Sequence, residues 1–207
     1  MHRQAIPRRV SRIGYHAAVA ANLIDRVALS GAMLAAPAWV RSRRNSYRAA
    51  GHPLRDFELA AFEPFFDAAT LAAVRVARVE EFRPWPLERL LRRIGLRGIL
   101  PSPSVAGIAL IDTIVIVTPT AHERHMASLP LLFHELVHIE QYRVLGLRGF
   151  LREYVGGWLA AGRSYDDIPL EIQAYELTEQ YEAAPGDAFS ITEKVRKRFA
   201  PLGNATA

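Results

Sequence analysis

The chain contains no cysteine, which excludes disulfides, thiolate metal sites and a cysteine nucleophile, and fits a reducing, cytoplasmic setting. It also has no internal repeat, glycine-rich phosphate loop or low-complexity tract, and none of its serines sits in a nucleophile-elbow context. Solenoid architectures, P-loop chemistry and serine hydrolases of that type therefore drop out. Long hydrophobic runs are missing as well. Val27 to Val40, the longest uncharged run of the N-terminal third, has fourteen residues, whereas a membrane-spanning helix needs about 20. A buried or membrane-surface helix is the expectation there.

Acidic residues are scarce at one end only. Residues 1 to 55 hold ten Arg and one Asp, a balance of +9, and the remaining chain holds sixteen basic and twenty acidic residues, a balance of −4. The overall charge of +5 thus belongs to the N-terminal end. Arg8-Arg9, an alanine-rich stretch and Ala36-Pro37-Ala38 have some features of an export signal, but Asp25-Arg26 interrupts what would be its apolar region. Arg41-Ser-Arg-Arg44 suits anionic lipid or nucleic acid. Without interleaved aromatics or a nucleic-acid-binding fold it is expected to be a solvated arm, not a specific nucleic-acid site. Contact with a membrane surface or a larger assembly through this basic end is the partner role it leaves open.

What the chain does have is His134-Glu135-Leu136-Val137-His138. An α-helix turns residues i and i+4 onto one face, about 40° apart, so two imidazoles at this spacing can share one metal ion. Glu135 lies about 100° from His134 and about 60° from His138, where its carboxylate flanks the metal and can reach a water beside it. From the chain's seven His and fourteen Glu in 207 residues, chance expects on the order of 0.02 such matches. The motif is flanked by Leu131, Leu132, Phe133 and Ile139, which makes the helix apolar on nearly every side. Two histidines and a glutamate in such a core require partners.

With no cysteine, a third ligand must be His, Asp or Glu. Gly146 breaks the motif helix, a second helix is expected from about Arg148 to Ala161, and Gly162 ends it. A third helix opens at Pro169 and stops before Pro185-Gly186, with Asp166 or Asp167 as its cap. Glu171 and Glu176 on this helix are about 140° apart and cannot face the same metal. Glu176 shares its side with Gln173, Glu179 and Gln180, as on a solvated face, whereas Glu171 neighbours Ala174, Tyr175 and Thr178. Glu171 is the expected ligand. Gln141 and Tyr175 are candidates to support the ligands from behind.

His134-Glu-x-x-His138, a helical hairpin, then Glu171-x-x-Ala174 resembles the gluzincin group of metallopeptidases, which use a glutamate as third zinc ligand. Val74-Arg-Val, Gly107 followed by Asp112-Thr-Ile-Val-Ile, and His134-Glu-Leu-Val-His-x-x-Gln141 are similar, more narrowly, to the metallopeptidase core domain found with extracellular contractile injection systems. That resemblance covers roughly residues 66 to 182. It implies a zincin-like core, a zinc site and a peptide or protein substrate.

Val105 to Val117, rich in Ile and Val and broken near Ile111-Asp112-Thr113, is expected to form a strand or tight hairpin just before the motif helix, where it could rim a substrate site. Phe57, Leu59, Phe62, Phe65, Phe66 and Leu71 are spaced as in a buried helical region, and Leu87 to Ile94 as in a short basic helix. Ser190-Ile-Thr-Glu193 is a capping-box pattern for a last helix whose basic face meets water. Half the residues are hydrophobic, enough for one well-buried domain. The expected architecture is α+β and mainly helical: a basic N-terminal helical extension, residues 1–55, and a zincin-like domain, residues 56–207.

The chemistry expected of the motif is peptide-bond hydrolysis, with zinc on His134, His138 and Glu171, water in the fourth position and Glu135 as general base. Tyr165, Tyr175, His122 and His125 compete for the role of stabilising the oxyanion. The other function open to the chain is non-catalytic, a metal-stabilised scaffold or interaction module with a zinc closed by four protein ligands.

Overall fold

A computed structural model of the protein describes residues 23–82, 106–118 and 128–199. It is mainly helical with one small sheet. The helices are α1 (Leu23–Ala50), α2 (Asp56–Phe62), α3 (Ala68–Ala73), α4 (Leu129–Ala160), α5 (Pro169–Ala183) and α6 (Ile191–Phe199). The strands are β1 (Arg75–Val79), β2 (Gly107–Leu110) and β3 (Thr113–Val117), in the spatial order β1-β3-β2. β3 runs parallel to β1, with Arg75 opposite Thr113, and antiparallel to β2, with Gly107 opposite Ile116. The expected short helix at Leu87 to Ile94, and His122 and His125, lie outside the described residues.

The β2–β3 hairpin turns within Ile111-Asp112. The Asp112 amide donates to the Leu110 carbonyl at 2.8 Å, and Ile111 is held at φ 64°. A β-branched residue there is strained by about 1–3 kcal/mol and persists only when its surroundings fix it. The fixing comes from α1. Arg44 grips the Asp112 carboxylate with two nitrogens, Nε to Oδ1 at 2.7 Å, and Arg48 adds a contact of 3.3 Å. Part of the basic segment expected to be a solvated arm is thus a clamp on a turn far away in sequence. One turn earlier on α1, Trp39 and Val40 are buried against Leu110, Val115 and Leu151. No helix among the described residues is long and apolar enough to cross a membrane.

Helix α4 carries the motif through the centre of the molecule, and every residue from Leu132 to Tyr142 is buried. Ser128 caps its start by accepting the Leu131 amide. At Gly146 the backbone leaves helical geometry, φ 68° and ψ 163°, a combination open essentially to glycine alone. The break expected there is present: the span Leu129–Ala160 is two helical segments that meet at Gly146. Behind the motif, Phe133 stacks on Tyr181 of α5 with ring centroids 4.3 Å apart, and Phe62, Phe65, Phe66 and Phe189 surround the pair. Burying each such ring contributes about 1.5–3 kcal/mol, which locks α4 against α5. Phe57, grouped with this core by its spacing, is instead 55% exposed.

On the far side of α4 the fully buried Glu140 accepts from Arg143, Thr70 and Thr192, tying α4 to α3 and α6. Pro169 opens α5 as expected, but the cap residue is Ile168 and no side chain caps the helix. Asp166 and Asp167 do not serve, because the position directly before the helix is taken by Ile168, whose side chain is anchored in the core. Ser190 accepts the Glu193 amide at the start of α6, as its sequence suggests.

Candidate metal centre

His134 and His138 project from one face of α4, and Glu171 meets them from the first turn of α5. Burial of an apolar helix puts all three in the interior, at 9%, 6% and 2% exposure. The two Nε2 atoms are 3.2 Å apart, and Glu171 Oε2 lies 3.4 Å from that of His134 and 3.3 Å from that of His138. Three donor atoms form a nearly equilateral triangle. A tetrahedral ion with bonds of about 2.0–2.1 Å separates neighbouring donors by about 3.3–3.4 Å, so the triangle has the dimensions of three corners of a zinc coordination shell. Glu171 Oε2 is buried and accepts a well-aligned hydrogen bond from neither imidazole. A buried carboxylate oxygen without such a partner is costly. The donor set can therefore hold a metal ion, and among the described residues no fourth ligand converges on it.

The electrostatics without metal follow from this crowding. Burial opposes a charge on Glu171, but the His138 charge and the proximity of both rings outweigh it and hold the carboxyl far below its usual range. Burial likewise favours a neutral His138, and Glu171, followed by Glu135 and Gln141, overcomes it and pushes the ring up to about 9. His134, where burial dominates, is shifted down. Glu135 is buried beside the triangle, and burial raises its carboxyl to about 7 against the opposing His138 charge.

Supporting groups surround the ligands. The His138 Nδ1 pairs with Gln141 Oε1 at 2.8 Å. Gln141 thus supports His138, three residues away, although it lies on the His134 side of the helix. Tyr175 does not hold the Glu171 carboxylate. Its ring lies on His134, centroids 4.6 Å apart, and is 47% exposed at the mouth of the site. The Tyr165 hydroxyl is hydrogen-bonded to Glu171 and the Tyr154 hydroxyl to Tyr165. Burial, with the Glu171 charge, keeps both phenols protonated.

Glu176 points away and pairs with Arg198 of α6 at 2.5 Å. Gln173, assigned to the same solvated face, is buried at 3% exposure and bridges Gln141 to the Lys194 carbonyl. The docking of α6 covers that side of α5, which periodicity within α5 alone does not reveal. Two further neighbours carried only faint signals: Gly107, a glycine within a β-rich run, abuts Glu135, and Tyr154, one aromatic in the apolar helix after Gly146, reaches Tyr165. No family model, curated protein or solved structure matches the chain.

Proposed function

We propose that the protein is a zinc-dependent metallopeptidase, with zinc held by His134, His138 and Glu171 and Glu135 as general base. The observation that carries this reading is the equilateral donor triangle with its unpartnered carboxylate oxygen. The zincin-like core and the gluzincin resemblance belong to the same proposal: a strand beside a His-Glu-x-x-His helix and a glutamate from the next helix recur in that order. Two imidazoles and one carboxylate suit zinc, and the fourth position that the described residues leave open suits a catalytic site better than a closed structural one.

Zinc bound here would polarise a carbonyl and lower the pKa of water from 15.7 to about 7. Glu135 would take a proton from the attacking water and return it to the leaving amine, and a carboxyl raised by burial to about 7 is suited to both transfers. Extended peptide substrate lies along β2, the edge strand of the sheet that abuts Glu135, where backbone hydrogen bonds fix its position. Tyr175, half-exposed against His134, is the described phenol best sited to meet the substrate carbonyl.

The test is zinc stoichiometry together with hydrolysis of a mixed peptide library. His134→Ala and His138→Ala are expected to lose zinc, and Glu135→Gln to keep zinc and lose hydrolysis. Loss of zinc from a folded Glu135→Gln variant overturns the assignment of roles. Stoichiometric zinc with a fourth protein ligand and no hydrolysis would favour the scaffold function instead.

A further inference from the structure

Gln141 is fully buried and its carboxamide makes three contacts, which together determine its orientation. Nε2 lies 3.0 Å from the Leu170 carbonyl and 3.1 Å from Gln173 Oε1. A backbone carbonyl can only accept, so the NH2 end must face Leu170 and the oxygen must face His138. Gln173 is oriented in the same way, because its own Nε2 donates to the Lys194 carbonyl at 3.1 Å. Its Oε1 is thereby left to accept from Gln141. The acceptor 2.8 Å from His138 Nδ1 is then an amide oxygen, and Nδ1 must carry the proton. The lone pair of the neutral ring is left on Nε2, the atom at the corner of the donor triangle.

The same amide reaches the second helix. Leu170 immediately precedes Glu171, so the bond from Gln141 Nε2 to its carbonyl ties the first turn of α5 to the motif helix. We propose that Gln141 is the positioning residue of the metal centre: one carboxamide sets the tautomer of His138 and the placement of the turn that bears Glu171. This rests on the zinc reading above. A carboxylate in its place could accept from His138 but could not donate to Leu170, so the two tasks together call for an amide.

The experiment uses the full chain loaded with zinc. A long-range proton–nitrogen correlation spectrum of the wild-type protein should show His138 protonated at Nδ1 and metallated at Nε2. Gln141→Leu should weaken zinc about 10–100-fold in chelator competition, and Gln141→Glu should recover only part of that loss. In cobalt-substituted protein both variants should change the visible ligand-field bands, which a purely structural role would leave alone. A Gln141→Leu variant with wild-type zinc affinity overturns the proposal, as does full recovery by Gln141→Glu. Should either variant fail to fold, the wild-type spectrum still decides, and His138 metallated through Nδ1 overturns Gln141's role. A wild-type protein that takes up no zinc overturns the zinc reading itself and this proposal with it.

Discussion

A methyl group on Gly107 would sit 2.7 Å from Oε1 of Glu135 and 3.0 Å from its Cδ. The edge strand and the buried carboxylate therefore touch with no side chain between them, and Gly107 is required by close approach. Gly107→Ala is expected to push Glu135 aside while leaving all three ligands in place. Displacing a catalytic group by about 1 Å costs up to roughly 100-fold in rate. Hydrolysis should fall about 10- to 100-fold with zinc affinity changed less than about threefold. Unchanged turnover would mean that the strand yields and that its contact with Glu135 positions nothing.

Under the proposed assignment Glu171 is a metal ligand, whereas Glu176 on the same helix is exposed and pairs with Arg198. Glu171→Ala leaves a triangle with two corners and should weaken zinc by several orders of magnitude. Glu176→Ala removes only an exposed pair with Arg198 and should change neither zinc affinity nor melting temperature measurably. Chelator competition on both variants checks this, and a larger loss from Glu176→Ala contradicts the assignment.

Features governed by local chemistry were legible in the sequence. The i,i+4 histidines, the break at Gly146, the start of α5 at Pro169 and the hairpin interruption at Ile111-Asp112 depend on residues within one turn of each other. What could not be read depends on partners far apart in the chain. Arg44 and Asp112 are 68 positions apart, so the clamp looked like a free basic arm. Gln173 is covered by α6, and its hydrogen bond to Lys194 spans 21 positions, so a buried bridging amide looked like a surface one. The choice between Glu171 and Glu176 turned on small neighbours such as Ala174, a signal that is local but weak.

Stability of the metal-free protein should depend on pH in a direction set by four groups, of which His134, shifted down from 6.5 by burial, makes the fold lose stability as pH falls below 6.5. His138, raised from 6.5 to about 9, contributes stability that is complete below about 6.5 and lost as pH rises through 9. Glu171, shifted down from 4.5, contributes stability present above 4.5 and lost on acidification. Glu135, raised from 4.5 to about 7, resists ionisation in the fold and costs stability as pH climbs through that range. The chelator-treated protein should therefore be most stable near pH 4.5–6.5 and lose on the order of a few kcal/mol by pH 9. Zinc displaces the His138 proton, so its affinity should rise with pH until about 9. Thermal melts with and without zinc at pH 5.5, 7 and 9 give the reading. A metal-free protein that gains stability between pH 6.5 and 9 contradicts the picture.

From Met33 onward the described part of the basic N-terminal segment packs on the domain. Trp39 and Val40 are buried against the sheet, and Arg44 and Arg48 hold the Asp112 turn. Removing residues 1–32 leaves all these contacts and should leave the melting temperature and zinc affinity nearly unchanged. Removing residues 1–50 strips the face of β2 and β3 that Trp39 covers and releases the strained Ile111. Truncating a buried tryptophan alone typically costs about 3–5 kcal/mol, and exposed apolar sheet promotes aggregation. Asp112→Asn isolates the clamp, since it keeps the side-chain volume and loses the charge, and should cost about 1–2 kcal/mol. β2 begins at Gly107, against Glu135, and ends at the clamped turn. Loosening that turn should therefore lower hydrolysis more than zinc binding. Denaturant melts of the two deletions and of Asp112→Asn, each with zinc titration, test this packing; a 1–50 deletion as stable as the full chain would show that α1 is an accessory to the domain and not part of its core.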